Sequence, residues 1–343
     1  MDYMKIRLNG TENPKNQIWE NISLKLTAEN INKNFGYIAN ASKTENIRYI
    51  FEQSKELFFN SLNLSLKVSP LNQFYSFSLL AKILILLNDK TKKIESLQQR
   101  HGISIDIQDR NNFDGIEISI DRNGTFFELY KLFDNNIVFD KINLHECFDY
   151  LLDTIHYADN NKIALISGYK IFPTNKSEPG AEQKDNTLDI LIPSFYDKLG
   201  KIMSLFPDIP FNLLKPKAYV TSLDTGGHHY RFYFNSDERN PFNHEINVYG
   251  KHFLIADYKV NGNIQYLNQI LLIYLVTFAC SNLVRYYPDL WNKLMDNEDK
   301  SWLLKQLLVS FNRTYPNYIL DFITKQNNVF SNPEHLIYDY DAM

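Results

Sequence analysis

An arginine and a histidine that could act together in acid–base chemistry lie five positions apart, at Arg239 and His244. A pair of this kind can cleave RNA without a metal, because the guanidinium stabilises the charge of the phosphorane and the imidazole moves a proton to or from the 2′-hydroxyl. Pro241 lies between the two residues, whereas such pairs normally lie on a helix. We therefore treat Arg239 and His244 as the runner-up for a catalytic pair.

The first candidates are two cations next to apolar segments, His101 and Arg285. A glycine commonly follows the last residue of a helix, and a cation near that end is stabilised by the helix dipole. His101 followed by Gly102 therefore predicts a helix end. Arg285 follows the apolar run at 270–280, and an arginine on a mostly buried helix needs a carboxylate, carbonyl or ligand partner, for which Asp289 is a local candidate. Both residues can be structural, or His101 can transfer a proton while Arg285 binds a phosphate.

Three polar side chains interrupt the apolar segment at 70–87, namely Tyr75, Ser76 and Lys82. Tyr75 and Lys82 share one face of a helix, because seven residues make about two helical turns. Lys82 must extend to solvent or pair with an acid. We predict that this face meets the helix of Arg285 across a common crevice, so the three residues are ligand-binding candidates.

Histidines concentrate in a predicted β region, with two aspartates near them: His228, His229, His244, His252, Asp224 and Asp257. Such groups on neighbouring strands could hold a transition metal, so a metalloenzyme that uses His228, His229 and His244 is a further alternative. Their spacing matches no established site, and surface histidines give the same pattern. The chain lacks GxGxxG, GxSxG, HExxH and paired CxxC motifs, which argues against dinucleotide enzymes, α/β-hydrolases and zinc fingers. We predict no bound metal or cofactor.

Composition predicts a soluble, cytoplasmic protein with a substantial core. Apolar residues make up 44% of the chain and aromatic residues 14%. The net charge of −4 gives no general attraction to nucleic acid or to an anionic membrane. Two cysteines and an N-terminus without an apolar stretch are typical of a reduced intracellular protein. The run at 270–280 is shorter than the roughly 20 residues of a membrane span, which predicts a buried core helix.

The hydrophobic pattern of the sequence changes between helical and strand periodicity along the chain, and it predicts the elements that would position these residues. Helices are predicted at 16–34, 45–66, from Pro70 to the region of His101, and at 144–156, 194–205, 264–287, 301–313 and 316–325. Strands are predicted at 103–107, 116–120, 218–223, 230–235, 245–249 and 253–258. The polar stretch at 173–186 is interpreted as an exposed loop and the best linker candidate.

This order predicts an α+β fold in which the N- and C-terminal helices form one bundle with inserted antiparallel β regions. We divide the chain into an N-terminal helical part at 1–102, a small β region at 103–140, a helix and exposed loop at 141–186, a β-rich insertion at 187–262 and a C-terminal helical part at 263–343.

Several blocks, taken in their order along the chain, resemble the bacterial YaaC-like family. They are PLNQFYSFSLLAKILILL followed by RHGI, NGTFFELYKLF at 123–133, FACSNLVRYYPDLW at 278–291 and YPNYILDFI at 315–323. The residues that carry the resemblance are Phe74, Tyr75, Ser76, His101, Gly102, Ser281, Arg285, Tyr286, Pro288 and Trp291. Asn123 and Tyr286 lie within these blocks and join the ligand-binding candidates. The family implies no settled activity.

The first block also resembles a helix of HEPN domains, which are helical bundles found in toxin and antiphage systems and are often ribonucleases. This likeness implies a HEPN-like bundle and a binding or effector component, with RNA or another protein subunit as its partner and homo-oligomerisation left open. Arg285 has no histidine four to six residues further on, since position 291 is Trp291. RNA cleavage therefore requires either that His101 approach Arg285 or that Arg239 and His244 act as the catalytic pair. Non-catalytic binding is the main hypothesis.

Overall fold

The computed structural model describes residues 6–134, 137, 139–154, 168–174, 185–193, 215–216, 227–235, 243–250, 252–255, 258–260 and 263–331. The helices in these ranges are α1 (Pro14–Lys25), α2 (Ala28–Phe35), α3 (Ala41–Ser61), α4 (Ser69–Asn88), α5 (Thr125–Tyr130), α6 (Leu144–Asp149), α7 (Gln269–Tyr286), α8 (Pro288–Asp296) and α9 (Glu298–Thr324).

The core of the molecule is the contact between α4 and α7. Both helices are apolar on nearly every side and most of their residues are buried, as expected for central helices. Phe74 of α4 meets Tyr274 and Phe278 of α7 edge to face, with ring centres 5.4 Å apart in each pair. Ser78 Oγ lies 3.3 Å from Tyr274 Oη, so two buried hydroxyls satisfy each other.

Helix α9 completes the bundle against α4. The ring of Tyr315 stacks on Phe77 with centres 4.2 Å apart, and its hydroxyl donates to the carbonyl oxygen of Phe77 at 3.2 Å. Gln73 Nε2 donates to the carbonyl oxygen of Leu308 at 2.8 Å. Helix α1 also packs along α9. The N- and C-terminal helices therefore share one core, and the predicted mainly helical α+β fold is confirmed.

Helix boundaries differ from the prediction where polar side chains cap the backbone. The predicted helix at 16–34 is two helices, because α1 ends at Lys25 and the side chain of Thr27 caps the first turn of α2. Helix α3 begins after Asn40, whose side chain caps its first turn, rather than after Thr44. Capping residues four positions apart give similar sequence signals, so the pattern alone does not choose between them.

Helix α9 runs as a single helix where two helices were predicted. Pro316 lies within it, although proline removes one backbone hydrogen bond from a helix interior. Tyr315 and Asn317 on either side are fully buried, and Asn317 Nδ2 donates to the carbonyl oxygen of Asn328 at 2.9 Å. Tertiary packing therefore holds the helix through the proline.

The strands of the described ranges form four sheets. They are β1 (Ile6–Gly10), β2 (Ile103–Ile107), β3 (Ile116–Ile120), β4 (Lys141–Asn143), β5 (Gly168–Thr174), β6 (Asp185–Pro193), β7 (Lys215–Pro216), β8 (Gly227–Asn235), β9 (Asn243–Ile246), β10 (His252–Ile255), β11 (Tyr258–Val260), β12 (Asn263–Gln265) and β13 (Asn327–Ser331). The sheet orders are β1-β13 (parallel), β2-β3-β4, β7-β8-β6-β5-β10-β9 and β11-β12.

The six-stranded sheet contains most of those residues of the predicted β-rich insertion that the structure describes. The sheet begins with β5 at Gly168. Strands β5 and β6 pair with each other, and the polar stretch at 173–186 that was predicted to be an exposed loop and linker connects them. The turn after β9 contacts the bundle, where the guanidinium of Arg313 lies 4.4 Å from the ring centre of Tyr249. The predicted helix at 194–205 and strand at 218–223 fall outside the described residues.

Helices α4 and α7 are each long and apolar enough to cross a membrane. In their most apolar windows, however, 72% and 78% of the residues are buried inside the protein. This burial is compatible with a soluble protein in which both are core helices, as the sequence predicted for the run at 270–280.

Candidate functional site

A cleft of about 390 Å³ lies where the start of β2 meets α7 and the first half of α4. Helix α7 contributes Phe278, Ser281, Asn282 and Arg285 to its lining. These positions are separated by three, four and seven residues, so they lie on one face of the helix. The opposite wall is the segment at 100–104, which leads into β2.

Two glycines in contact fix the path of the segment that carries His101. Gly102 has a φ of +74°, and a Cβ placed there would lie 2.9 Å from the Cα of Gly124. A Cβ at Gly124 would lie 2.4 Å from the Cα of Gly102, so neither position has room for a larger residue. The first amides of α5 complete the anchor, since Thr125 N donates to Arg100 O and Phe126 N to His101 O, each at 2.9 Å.

The interpretation of His101 and Gly102 as the end of the third helix was wrong. Helix α4 ends at Asn88, and His101 lies in the connection that leads to β2. The positive φ of Gly102 allows the turn into the strand and the close approach to Gly124. The prediction failed because a positive-φ glycine serves turns as well as helix ends.

The imidazole of His101 lies among aromatic rings. Its ring centre is 4.9 Å from Phe74, 5.7 Å from Phe278 and 6.2 Å from Tyr75. Burial, together with the positive charges of Lys82 and Arg285, lowers the pKa of His101 to about 4. Nδ1 is buried and has no hydrogen-bond partner within the described residues. At neutral pH this side chain is therefore uncharged, and the hydrogen-bonding capacity of Nδ1 is unused within the described residues.

Arg285 lies at the mouth of the cleft, and no carboxylate of the described residues pairs with it. Its Nη1 donates to the hydroxyl of Tyr75 at 2.5 Å, and its guanidinium carbon is 4.8 Å from the ring centre of Tyr286. Arg100, which also lines the cleft, likewise forms no ion pair in the part of the chain that the structure describes. The expected local pair between Arg285 and Asp289 does not form.

The cleft contains one lining carboxylate among the described residues. Asp121 Oδ1 accepts a hydrogen bond from the backbone N–H of Asn123 at 3.1 Å, and Asp121 is farther than 4.0 Å from both arginines. Ser281, which is 2% exposed, forms no hydrogen bond through its hydroxyl within the described chain. The cleft thus presents two unpaired guanidinium groups, a hydroxyl and a neutral imidazole.

The structure brings several predicted site residues together at this cleft. His101, Arg285 and Tyr286 line it, and Tyr75 contacts both His101 and Arg285. Lys82 lies behind His101, where burial lowers its pKa, and no ion pair neutralises it among the described residues. The expected crevice between the helices that bear Tyr75 and Arg285 is therefore present.

Two predicted ligand-binding residues lie elsewhere. Ser76 is fully buried and exchanges hydrogen bonds with Ser54 of α3, because each hydroxyl donates to the other residue's carbonyl oxygen at 2.8 Å. Asn123 lies in the turn before α5 and does not line the cleft. Sequence reasoning missed Arg100, and it noted Ser281 only as part of the family resemblance. The spacing of Ser281 and Arg285 by one helical turn was a usable signal for Ser281.

The remaining candidates belong to the six-stranded sheet. Arg239 falls outside the described residues, and His244 lies on β9, while His228 and His229 lie on β8. Strands β6, β5 and β10 separate β8 from β9, which places these backbones roughly 19 Å apart at about 4.8 Å per strand. This order does not favour one metal site built from His228, His229 and His244. No group of metal-ligating side chains is found in the described ranges.

Comparison with known proteins gives one match. The family model described as YaaC-like Protein matches residues 19–323, a range that includes both walls of the cleft. No curated protein and no solved structure matches the chain. The likeness to HEPN bundles therefore stays a prediction. Because the matched range covers most of the sequence, this chain belongs to the YaaC-like protein family.

Proposed function

We propose that this YaaC-like protein is a binding component whose α4–α7 cleft holds an anionic group of its ligand. The observation that carries the proposal is the pair Arg100 and Arg285, which line one cleft and form no ion pair in the described chain. A guanidinium group binds carboxylate and phosphate through two parallel hydrogen bonds, and it does so best when its geometry is fixed beforehand. The hydrogen bond from Arg285 to Tyr75 supplies that fixation.

The environment of His101 supports binding over acid catalysis. A general acid works best when its pKa lies near the working pH. The pKa of His101 is lowered to about 4, so the side chain is uncharged at neutral pH and has no proton to spare for a leaving group. A neutral imidazole with a free nitrogen can instead accept a hydrogen bond from the ligand.

Thermal unfolding in the presence of small anions tests the proposal. Phosphate added at constant ionic strength should raise the Tm of the wild-type protein, because a ligand that binds only the folded state stabilises it. Arg285→Ala and Arg100→Ala should lose most of this increase. Arg48→Ala is the matched control, since Arg48 is an exposed arginine on α3, away from the cleft. An equal response of Arg285→Ala and Arg48→Ala would show only the general effect of phosphate on proteins and would refute the proposal.

Metal-independent RNA cleavage is a second candidate function. The observation that favours it is the approach of His101 and Arg285, which line the same cleft and both contact Tyr75. In such a reaction neutral His101 would accept the 2′-hydroxyl proton as that oxygen bonds to phosphorus, and Arg285 would stabilise the phosphorane. The imidazolium would then return the proton to the 5′-oxygen as the bond from phosphorus to that oxygen breaks. The test is cleavage of a labelled RNA in EDTA, compared among wild type, His101→Ala, Arg285→Ala and Arg48→Ala. Intact RNA with the wild type, or unchanged cleavage by the two cleft variants, removes this candidate.

The biological setting that we propose is a cytoplasmic toxin or antiphage effector system, with RNA or another subunit as the partner. Its support is the resemblance of the first sequence block to HEPN bundles. Expression of the wild type in a bacterial host should slow growth or reduce phage plating, and Arg285→Ala should restore both towards the level of an empty vector. If the wild type and Arg285→Ala behave alike, the cleft has no part in such a system.

A further inference from the structure

We infer that the anionic group belongs to an extended peptide segment, which pairs with the free edge of β2 and places a carboxylate between Arg100 and Arg285. This inference rests on the proposed anion-binding function of the cleft. It adds the class of partner, a polypeptide, and the mode of binding, strand addition.

The first support is the hydrogen-bond pattern of β2, the edge strand of the order β2-β3-β4. Just beyond β3, Asp121 N donates to Gly102 O, on the side that faces β2. The preceding residue, Ile120, donates its N–H on the opposite side, to Asp140 O beside β4. In an antiparallel strand, the backbone N–H and C=O groups of successive residues point alternately to one edge and to the other. The backbone groups of Ser104 and Asp106 therefore bond to β3. The backbone groups of the residues between them, Ile103, Ile105 and Ile107, therefore point away from β3.

These outward groups have no partner in the part of the chain that the structure describes. Side-chain burial agrees, because the isoleucines of central strand β3 are at most 7% exposed, whereas those of β2 are partly exposed. An additional strand would bury the exposed parts of the β2 isoleucines and satisfy the backbone groups at the same time.

The second support is the position of the β2 edge next to the cleft. Ile103 and Ser104, the first residues of β2, line the cleft, and Arg100 immediately precedes them. From Ile103 to Ile107 the strand runs away from the cleft over about 13 Å, at roughly 3.3 Å per residue. A segment antiparallel to β2 would therefore bring its C-terminal end to Arg100 and Arg285. A carboxylate there would meet two guanidinium groups that form no ion pair with any described residue.

Charge along the strand refines the expected partner. Asp106 is exposed on β2 at the end far from the cleft. An acidic residue of the segment is therefore disfavoured beside Asp106 and favoured at the cleft. We expect an extended segment with β-branched residues at alternate positions, an acidic residue or free carboxylate at its C-terminal end, and a neutral or basic residue at its N-terminal end.

Selection from a display library of random six-residue C-terminal segments tests this expectation. Wild-type protein should enrich segments that have Asp or Glu in the last two positions, and Arg285→Ala should lose that enrichment. In fluorescence polarisation, an enriched synthetic peptide should bind roughly tenfold to a hundredfold more tightly than its Asn or Gln counterpart. No difference in enrichment between wild type and Arg285→Ala overturns the inference.

Ile105→Pro separates the strand edge from the anion site. Proline is tolerated on an edge strand where the N–H faces outward, but it removes that donor and blocks strand addition. This variant should lose the peptide and keep the phosphate-dependent increase in Tm, whereas the control Ile105→Val should keep both. Peptide binding that survives Ile105→Pro refutes strand addition.

The remaining outcomes distinguish the two proposals. If phosphate acts through Arg285 but no acidic segment is enriched, the cleft binds an anion and the peptide inference fails. Arg285-dependent binding of a single-stranded RNA oligonucleotide, without acidic-segment enrichment, would assign the ligand to nucleic acid instead. If neither phosphate nor peptide depends on Arg285, the proposed function fails as well.

Discussion

At the scale of single residues, the cleft depends on charges that the protein itself leaves unneutralised. Arg100 and Arg285 lack ion pairs among the described residues, and Tyr75 holds the second of them in place. His101 is uncharged because burial and two nearby cations oppose its protonation. These groups together form the surface for which we propose anion binding, with an uncharged imidazole beside the two cations.

The depressed pKa of His101 makes stability depend on pH. Its pKa is about 4 in the folded protein against 6.5 for a free side chain, so the unfolded chain binds more protons between these values. Stability should therefore be full above about pH 6.5 and fall as the pH decreases towards 4. Urea unfolding at several pH values should show that His101→Gln loses about 1–2 kcal/mol less than wild type over this range, after allowance for solvent screening. Parallel curves for the two proteins would contradict the assignment.

Sequence reasoning at this scale identified Tyr75 and Arg285 as polar groups in apolar segments. It identified His101 from its place next to Gly102, and Tyr286 only through the family resemblance. It could not identify Arg100 as a cleft residue, since its role depends on the approach of the segment at 100–104 to α7, which is remote in sequence. The role of Ser76 was also misjudged: a serine on an apolar helix can face a ligand or a neighbouring helix, and here it faces Ser54.

At the scale of elements, the contact between Gly102 and Gly124 positions one wall of the cleft. A side chain at Gly102 would have to adopt a φ of +74° and also displace the backbone of Gly124. The anchored segment carries His101 and leads directly into the free edge of β2. The glycine pair therefore controls both halves of the proposed binding surface.

Gly102→Ala should destabilise the protein and weaken anion binding, because the methyl group separates the two segments. We expect a loss of about 2–3 kcal/mol in the free energy of unfolding, together with a smaller phosphate-dependent shift in Tm. Gly36→Ala is the matched control, since Gly36 has a φ of +72° and open space around it. It should lose about 1 kcal/mol and keep the response to phosphate. Equal losses in the two variants would show that backbone strain alone matters at Gly102.

The elements themselves were predictable to different degrees. The long apolar segments predicted α4 and α7, because each is too long for a buried strand. The alternating isoleucines predicted β2 and β3, because alternation matches the period of a strand. The continuation of α9 through Pro316 was not predictable, since tertiary contacts of its neighbours outweigh the local cost of proline. The division of the first predicted helix into α1 and α2 depends on one capping threonine.

At the scale of the whole molecule, helices from the two ends of the chain form a single core. Phe77 of α4 and Tyr315 of α9 stack at its centre, and Phe74 joins α4 to α7. The sequence predicted this arrangement from two apolar helices that each need a partner. It could not predict the parallel pairing of β1 with β13, because strand partners that far apart leave no local signal.

Phe77→Ala should destabilise both ends of the chain together. Removal of the buried ring leaves a cavity beside Tyr315 and should cost about 3–5 kcal/mol. Hydrogen exchange should then show similar loss of protection in α4 and α9, as expected for one cooperative unit. Tyr49→Ala, which truncates an exposed aromatic residue on α3, should have little effect on either helix. Loss of protection in α4 alone would contradict a shared core.

The pairing of α4 with α7 has a consequence for synthesis on the ribosome. The two helices are separated by 180 residues, from 89 to 268. At about 5–20 residues per second, the side of α4 that packs on α7 stays uncovered in the nascent chain for on the order of ten to forty seconds, although α3 can already pack on another side. That side can be covered only after α7 itself has been translated. Prematurely terminated products that end before α7 therefore cannot complete the core, and they become natural clients for chaperones and proteases.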